Sequence, residues 1–202
     1  IPKISPIRAN IHREIVGKVK SITISRAPTG KYYASILADD GQEAPAKPTY
    51  ITQLTGYDIG LKDYLIRDDG KKTPNPRHLV NAYRRLRRDS KALSRKQKGS
   101  ANRRKARIRL AAQHDRVANA RNDFQHKLSR NIIVENQAVI VETLKTANMM
   151  KNKRLARHIG DAAWSGFVAK LAYKAEASGV HLVKLDQWFA SSKTCHCCGH
   201  KM

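Results

Sequence analysis

Between Arg77 and Arg130 the chain carries 18 basic and three acidic residues, a net of +15 in one stretch. No fold can bury such a segment, because taking each unpaired ion out of water costs several kcal/mol. It must lie outside, held by whatever apolar positions it contains. Those positions recur at helical intervals. Pro74 and Pro76 stop the preceding structure, then Leu79, Tyr83, Leu86 and Leu93 begin one helix, and Gly99-Ser100 breaks it. Ala106, Leu110, Gln113, Val117, Ala120, Phe124 and Leu128 follow at steps of three and four, which places them in one stripe. Arg104, Arg107, Arg109, Arg116, Lys127 and Arg130 fall off that stripe. Two helices are predicted, each with a narrow buried edge and broad cationic faces.

A charge run is ordinarily just a solvated face. Here Asp89, Asp115 and Asp123 alone face eighteen cations, so contact with a polyanion is expected, each neutralised phosphate releasing condensed counterions. Arg84, Arg88, Arg95, Lys96, Lys98, Arg103, Arg104, Arg107, Arg109 and Arg116 are the candidate nucleic-acid-binding residues. The run lacks interleaved aromatics, which favours backbone contact over base stacking. The rest of the chain is milder: of the formal +24 over 202 residues, 1–50 hold +4, 51–76 are balanced and 131–202 hold +5. With 41% apolar residues a core can form, yet no apolar run approaches the roughly 18 residues of a membrane span. The N-terminus has no signal-peptide pattern. It also has no initiator Met, so the chain reads as cut from something longer. Three cysteines crowded at 195, 197 and 198 build no disulfide framework, and a reducing, cytoplasmic setting follows.

The remaining chain alternates strand and helix signals. Ile11–Lys20, Lys20–Arg26 and Lys31–Leu37 read as strands, with a turn at Pro28-Thr29-Gly30, and Gly41–Pro48 reads as a linker. Leu54–Gly60 reads as a strand holding one acid, Asp58, with Asp68-Asp69-Gly70 turning it into a hairpin. Ala138-Val139-Ile140-Val141 is a continuous apolar run ending at Glu142, as a central strand would be. An acid at the carboxyl end of such a strand lies where open α/β sheets gather ligands. If these strands are neighbours, two carboxylates stand side by side and need a shared proton or a divalent cation. Beside a polyanion, Mg²⁺ or Mn²⁺ is the expected ion. Leu155, Ile159, Ala162, Ala163, Phe167 and Leu171 continue a helical spacing, with Asp161 as its N-cap and Gly179 just past its end. Val180–Leu185 forms a last strand, after which Asp186 reads better as a turn residue than as a third acid.

Near the C-terminus, Cys195-His196-Cys197-Cys198-Gly199 is a C-x-x-C-G knuckle, of which two meet around Zn²⁺ in a zinc ribbon. A redox pair is the weaker alternative, since no thioredoxin-like context surrounds it. Half a ribbon does not complete a tetrahedral site.

Taken in order, several motifs resemble one family. They are Gly56-Tyr57-Asp58-Ile59-Gly60, the basic insertion with Arg95-Lys96-Gln97-Lys98-Gly99-Ser100 and Arg116-Val117-Ala118-Asn119-Ala120-Arg121, then Val139-Ile140-Val141-Glu142. Lys151-Asn152-Lys153-Arg154-Leu155-Ala156, Asp161-Ala162-Ala163-Trp164 and Ser191-Ser192-Lys193-Thr194-Cys195 follow. Together they resemble the transposon-encoded TnpB (OrfB) family, relatives of type V CRISPR effectors, over essentially the whole chain. The resemblance implies an RNA-guided DNA endonuclease with guide RNA and target DNA as partners. It implies a mixed α and β architecture: the end of a wedge-like β-barrel at 1–53, a RuvC-like nuclease of RNase H fold at 54–190 with its basic helical insertion at 77–130, and the first zinc knuckle at 191–202. Asp58 and Glu142 take the places of the first two metal-binding acids, and Cys195 and Cys198 those of the first zinc ligands. The third acid of the family lies beyond the second knuckle, outside this chain. Thr143 departs from the family, where Asp is common. Two alternatives stay open: a nuclease-dead RNA-guided regulator on the same scaffold, and a structural RNA-binding protein.

Overall fold

The computed structural model describes residues 7–185, within two compact units divided between Glu43 and Ala44. Asp186, Cys195 and Cys198 lie outside the described residues.

The first unit contains an antiparallel hairpin, β1 (Lys18–Arg26) with β2 (Tyr32–Asp39). The turn falls at Pro28-Thr29-Gly30, as expected. The two strands expected at Ile11–Lys20 and Lys20–Arg26 are a single strand, and none of the described residues before Lys18 belongs to it. Gly17 explains the start at Lys18: it turns with φ +91°, and the Asp39 backbone occupies the space a Cβ would need. Nearly every residue of both strands is exposed, Ile22 and Tyr33 included.

The second unit is built on a five-stranded sheet of order β5-β4-β3-β6-β7: β3 (Leu54–Ile59), β4 (Asp63–Arg67), β5 (Lys72–Pro74), β6 (Ala138–Glu142) and β7 (His181–Leu185). β4 runs antiparallel to β3 and β5, whereas β6 runs parallel to β3 and β7. The hairpin carrying Asp58 therefore turns earlier than its sequence suggests. Gly60-Leu61-Lys62 joins β3 to β4, and Asp68-Asp69-Gly70 joins β4 to β5. The stronger turn signature belongs to the later turn.

β3 alternates strictly: Thr55, Tyr57 and Ile59 are buried, while Leu54 and Asp58 are exposed. Val139 and Val141 of β6 join the buried face. The residues that meet them are Ile132 and Ile133 of α2 (Ala101–Glu135), Ile159 and Ala162 of α4 (Ala156–Ala162), and Phe167, Leu171 and Ala175 of α5 (Trp164–Ala177). Among the described residues the opposite face is only partly covered, with Leu54 and Val183 about half exposed and Ile140 half-buried, while Ala138 is buried. β6 is central in order, as expected, and none of its residues is exposed.

Both insertion helices form. α1 (His78–Ser94) ends before the Gly99-Ser100 break, and Ser100 caps α2 by accepting from the Arg103 amide at 3.1 Å. α2 has 35 residues and so runs about 52 Å. A four-residue helix, α3 (Thr146–Met149), leads toward α4. The single helix expected from Leu155 is two. Ala163 adopts φ 49°, ψ 47° between α4 and α5, a left-handed conformation no alanine prefers. Asp161 is correspondingly not an N-cap of its own helix. Its carboxylate accepts from Leu79 N at 2.8 Å and Val80 N at 3.2 Å, capping α1, whose own N-cap residue Arg77 makes no side-chain bond. α5 ends as expected, with Gly179 at φ +65° just past Ser178. Carbonyls of Pro45 and Ala46 lie 2.9 Å from where its Cβ would stand.

Removing this cap leaves two amides of α1 unsatisfied beside a helix dipole. Asp161→Ala should lower the urea midpoint by the equivalent of about 2 kcal/mol, with Asp161→Asn losing less. An unchanged midpoint would remove the capping role.

Candidate functional site

The parallel pairing of β3 with β6 runs Leu54 with Ala138, Thr55 with Val139, Gly56 with Ile140 and Tyr57 with Val141. One residue further along both strands stand Asp58 and Glu142. Neighbouring strands lie about 4.8 Å apart, and residues level in a parallel register point to the same face. Asp58 and Glu142 thus share the partly covered face of the sheet at the carboxyl ends of two adjacent strands. Asp58 is exposed and Glu142 half-buried. Asp58 also pairs with Ile66 on β4, and Glu142 with Leu185 at the end of β7.

Two carboxylates so placed offer hard oxygen donors, which suit Mg²⁺ or Mn²⁺ over a softer ion. Among the described residues, no three His, Cys, Asp or Glu side chains converge as a complete metal site. Asp58 and Glu142 could supply two of the ligands of such an ion.

Asp68 stands on the same face. Its Oδ2 accepts from Gly56 N at 2.9 Å, and its own amide donates to Gly56 O at 3.0 Å. Arg67 lies beside it, with Nε 3.3 Å from Asp69 and 3.9 Å from Asp68.

The cationic residues divide by role. Arg84 and Arg88 on α1, Arg95, Lys96 and Lys98 in the turn, and Arg104, Arg107, Arg109 and Arg116 on α2 are all exposed. Arg103 is half-buried, and its Nη1 donates to Leu93 O at 3.1 Å and Lys96 O at 2.9 Å, fastening the end of α1. Between the helices, Leu86 and Val117 are buried together with two polar residues, Asp89 and Gln113. Asp89 Oδ1 lies 3.5 Å from Arg88 Nε, while its Oδ2 has no hydrogen-bond partner.

Several supporting residues carry no sequence signal. Gln125, buried on α2, donates through Nε2 to Ala162 O and Ala163 O at 3.1 Å and to Tyr64 Oη at 3.0 Å. The Tyr64 hydroxyl donates to Ala162 O at 3.1 Å, and Arg121 Nη1 donates to Gly160 O at 2.8 Å. These bonds satisfy the carbonyls freed where α4 ends, and so hold Ala163 in its unfavourable conformation. Arg157 of α4 stacks 4.1 Å above the Tyr83 ring of α1. On α5, Lys170 donates to Gln125 Oε1 at 3.1 Å, and Lys174 donates to His126 O and Ser129 Oγ.

Charge crowding is visible in these groups. Burial, then Arg121, lowers the Lys170 pKa; burial, then Arg130 and Lys170, lowers that of Lys174. His126 is lowered by burial and by both lysines. Burial raises the Tyr57 and Tyr64 hydroxyls, the latter strongly.

A mixed sheet with level carboxylates on two parallel strands, and a cationic helical hairpin inserted between those strands, defines the class of domain. Residues 38–153 match the family model OrfB_IS605, described as "Probable transposase", and residues 164–202 match the Cas12f1-like TNB domain. The chain belongs to the TnpB (OrfB) family. A relative from Streptomyces pristinaespiralis, "Putative RNA-guided DNA endonuclease", is 42% identical over 179 residues, covering 89% of this chain and 44% of that protein. InsQ of Escherichia coli K12, named likewise, is 27% identical over 215 residues, covering 99% and 52%. The chain therefore spans about half the length of the curated relatives it matches. A Cas12f1–sgRNA–target DNA complex is similar at TM-score 0.48 and 15% identity, over 89% of this chain and 45% of that one. No described helix is long and apolar enough to cross a membrane.

Proposed function

We propose that this chain is the nuclease-bearing part of an RNA-guided DNA endonuclease acting in the prokaryotic cytoplasm, with a RuvC-like site at Asp58 and Glu142. The observation that carries the reading is the β3–β6 register, which sets both acids level on one sheet face. A bound Mg²⁺ or Mn²⁺ would supply an activated water and stabilise the leaving oxygen of a DNA phosphodiester. Asp58 and Glu142 would hold that ion from adjacent strands. The α1–α2 hairpin would hold the guide–target heteroduplex by its phosphates, through exposed residues such as Arg84, Arg88, Arg104, Arg107, Arg109 and Arg116. Sequence choice would rest with base pairing by the guide RNA. Cys195 and Cys198 would give two of four ligands to a Zn²⁺ that further residues complete.

A nuclease-dead RNA-guided binder on the same scaffold is the alternative reading. One experiment separates them. The full-length protein, loaded with guide RNA, should cut matched DNA in Mg²⁺, stop in EDTA and resume when Mg²⁺ is restored, while remaining bound to target throughout. Binding without cutting in any divalent ion would establish the second reading. Cutting that persists in EDTA would remove the metal role of Asp58 and Glu142.

A further inference from the structure

Lys105, Arg109 and Arg116 are exposed and spaced four and seven residues apart, so they line one face of α2. None makes an ion pair among the described residues. One turn beyond Arg116 the same face reaches Ala120, and there the surface falls into an open hollow of about 460 Å³. Phe124 and Leu128 of α2 supply its apolar lining, with His78 from the start of α1. Phe124 has two ring neighbours: Tyr64 meets it edge-on at 5.0 Å, and the His78 ring lies 6.3 Å away at 68°. Asp123, Lys127 and Asn131 complete the rim, and Lys127 Nζ bonds Asp123 Oδ2. His78 Nε2 is shut from solvent without a hydrogen-bond partner.

This arrangement changes what the basic segment can do. Its sequence lacks interleaved aromatics, yet the fold imports His78 to the side of Phe124 and so makes an aromatic recess on a cationic helix. A free small ligand needs a site that encloses most of its surface. An open recess at the end of a cation row suits a flat group tethered to an anchored polyanion. A base in a duplex is stacked and paired, so only an unpaired one can enter. Asp123 narrows the choice further. Lys127 already meets Asp123 through Oδ2, so a phosphate strand can pass beside it, and the second carboxylate oxygen suits a donor such as the ribose 2′-hydroxyl, which RNA has and DNA lacks.

We propose that this hollow receives an unpaired base of an RNA strand whose phosphates lie along Lys105, Arg109 and Arg116. The proposal rests on the nucleic-acid reading above and adds to it a site that distinguishes single strands from duplexes.

The test measures fluorescence anisotropy of labelled oligouridine, a matched deoxyuridine strand and an RNA duplex with this chain and two variants. Ala120→Leu fills the hollow with a strong helix former, and Asp123→Asn removes the carboxylate. Far-UV circular dichroism and a urea melt establish that both variants fold. The expected result is oligouridine binding weakened about tenfold by Ala120→Leu, in line with the loss of one stacked base. Duplex binding should be unchanged by that variant. The deoxyuridine strand should bind more weakly than oligouridine to the wild type, and Asp123→Asn should abolish the difference. Oligouridine binding equal in Ala120→Leu and wild type overturns the pocket and leaves the charge-based reading intact. Equal binding of ribose and deoxyribose strands overturns the assignment to RNA. Failure of every strand to bind at low salt overturns both the pocket and the nucleic-acid reading.

Discussion

Asp58→Ala in the full-length protein should reduce DNA cleavage by about a thousandfold, on the order of what removing one preorganised electrostatic group costs. Guide RNA and target binding should stay within about twofold, because the cations proposed to hold the backbone lie on α1, α2 and the turn between them, whereas Asp58 lies on β3. Asp58 is exposed, so its removal leaves no buried group unsatisfied and the fold should be intact. Glu142→Ala should lose cleavage similarly, since its carboxylate stands level with Asp58 on the adjoining strand. Asp69→Ala, in the exposed turn after β4, should cut at the wild-type rate. Cleavage assayed in Mg²⁺ alongside filter binding checks all three. Retained cutting by Asp58→Ala would sink the assignment.

Phe167→Ala should cost about 3–5 kcal/mol, comparable with the lower part of the whole stability range of a domain. Phe167 is fully buried on α5, and its ring meets Tyr64 edge-on at 5.4 Å. Truncation removes that pair and leaves a cavity between α5 and the sheet that rigid neighbours cannot fill. Phe167→Leu, which keeps most of the volume, should cost less than half as much. Urea melts of the two variants provide the comparison. If alanine proves no worse than leucine, Phe167 is not the centre of this core.

The parts of the fold legible in the sequence are those where one periodicity acts alone. The apolar run Ala138–Val141 could only be an inner strand, and the stripe from Ala106 to Leu128 could only be a helix edge. The stripe drifts near its end, where Gln125 and Ser129 are buried and Ala120 is exposed, because α2 there leaves α1 and meets α4 and α5. The break at Ala163 is illegible for a physical reason. Alanine favours helix, and the conformation is imposed by Gln125 and Arg121, some forty residues upstream. Asp161 misled in the same way, since it caps a helix that begins 83 positions before it. Asp58 could be singled out as an acid inside an otherwise apolar strand, and Glu142 as an acid at the carboxyl end of one. Their common level could not, since register between distant strands is set by the folded sheet. His78 and Phe124 lie 46 positions apart in a segment with no aromatic pattern, so their meeting needed the fold.

The C-terminal end of α2 has a mechanical meaning. Asn136, the residue that closes the helix, donates through Nδ2 to Ile132 O, and its Oδ1 accepts from Thr55 Oγ1 in β3. Two residues later the chain enters β6. One unbroken spar therefore grips the Asp58 strand by a buried bond and runs directly into the Glu142 strand, while its far half carries the exposed arginines. The helix that bears those arginines and the two strands that bear the carboxylates therefore share one joint, at Asn136.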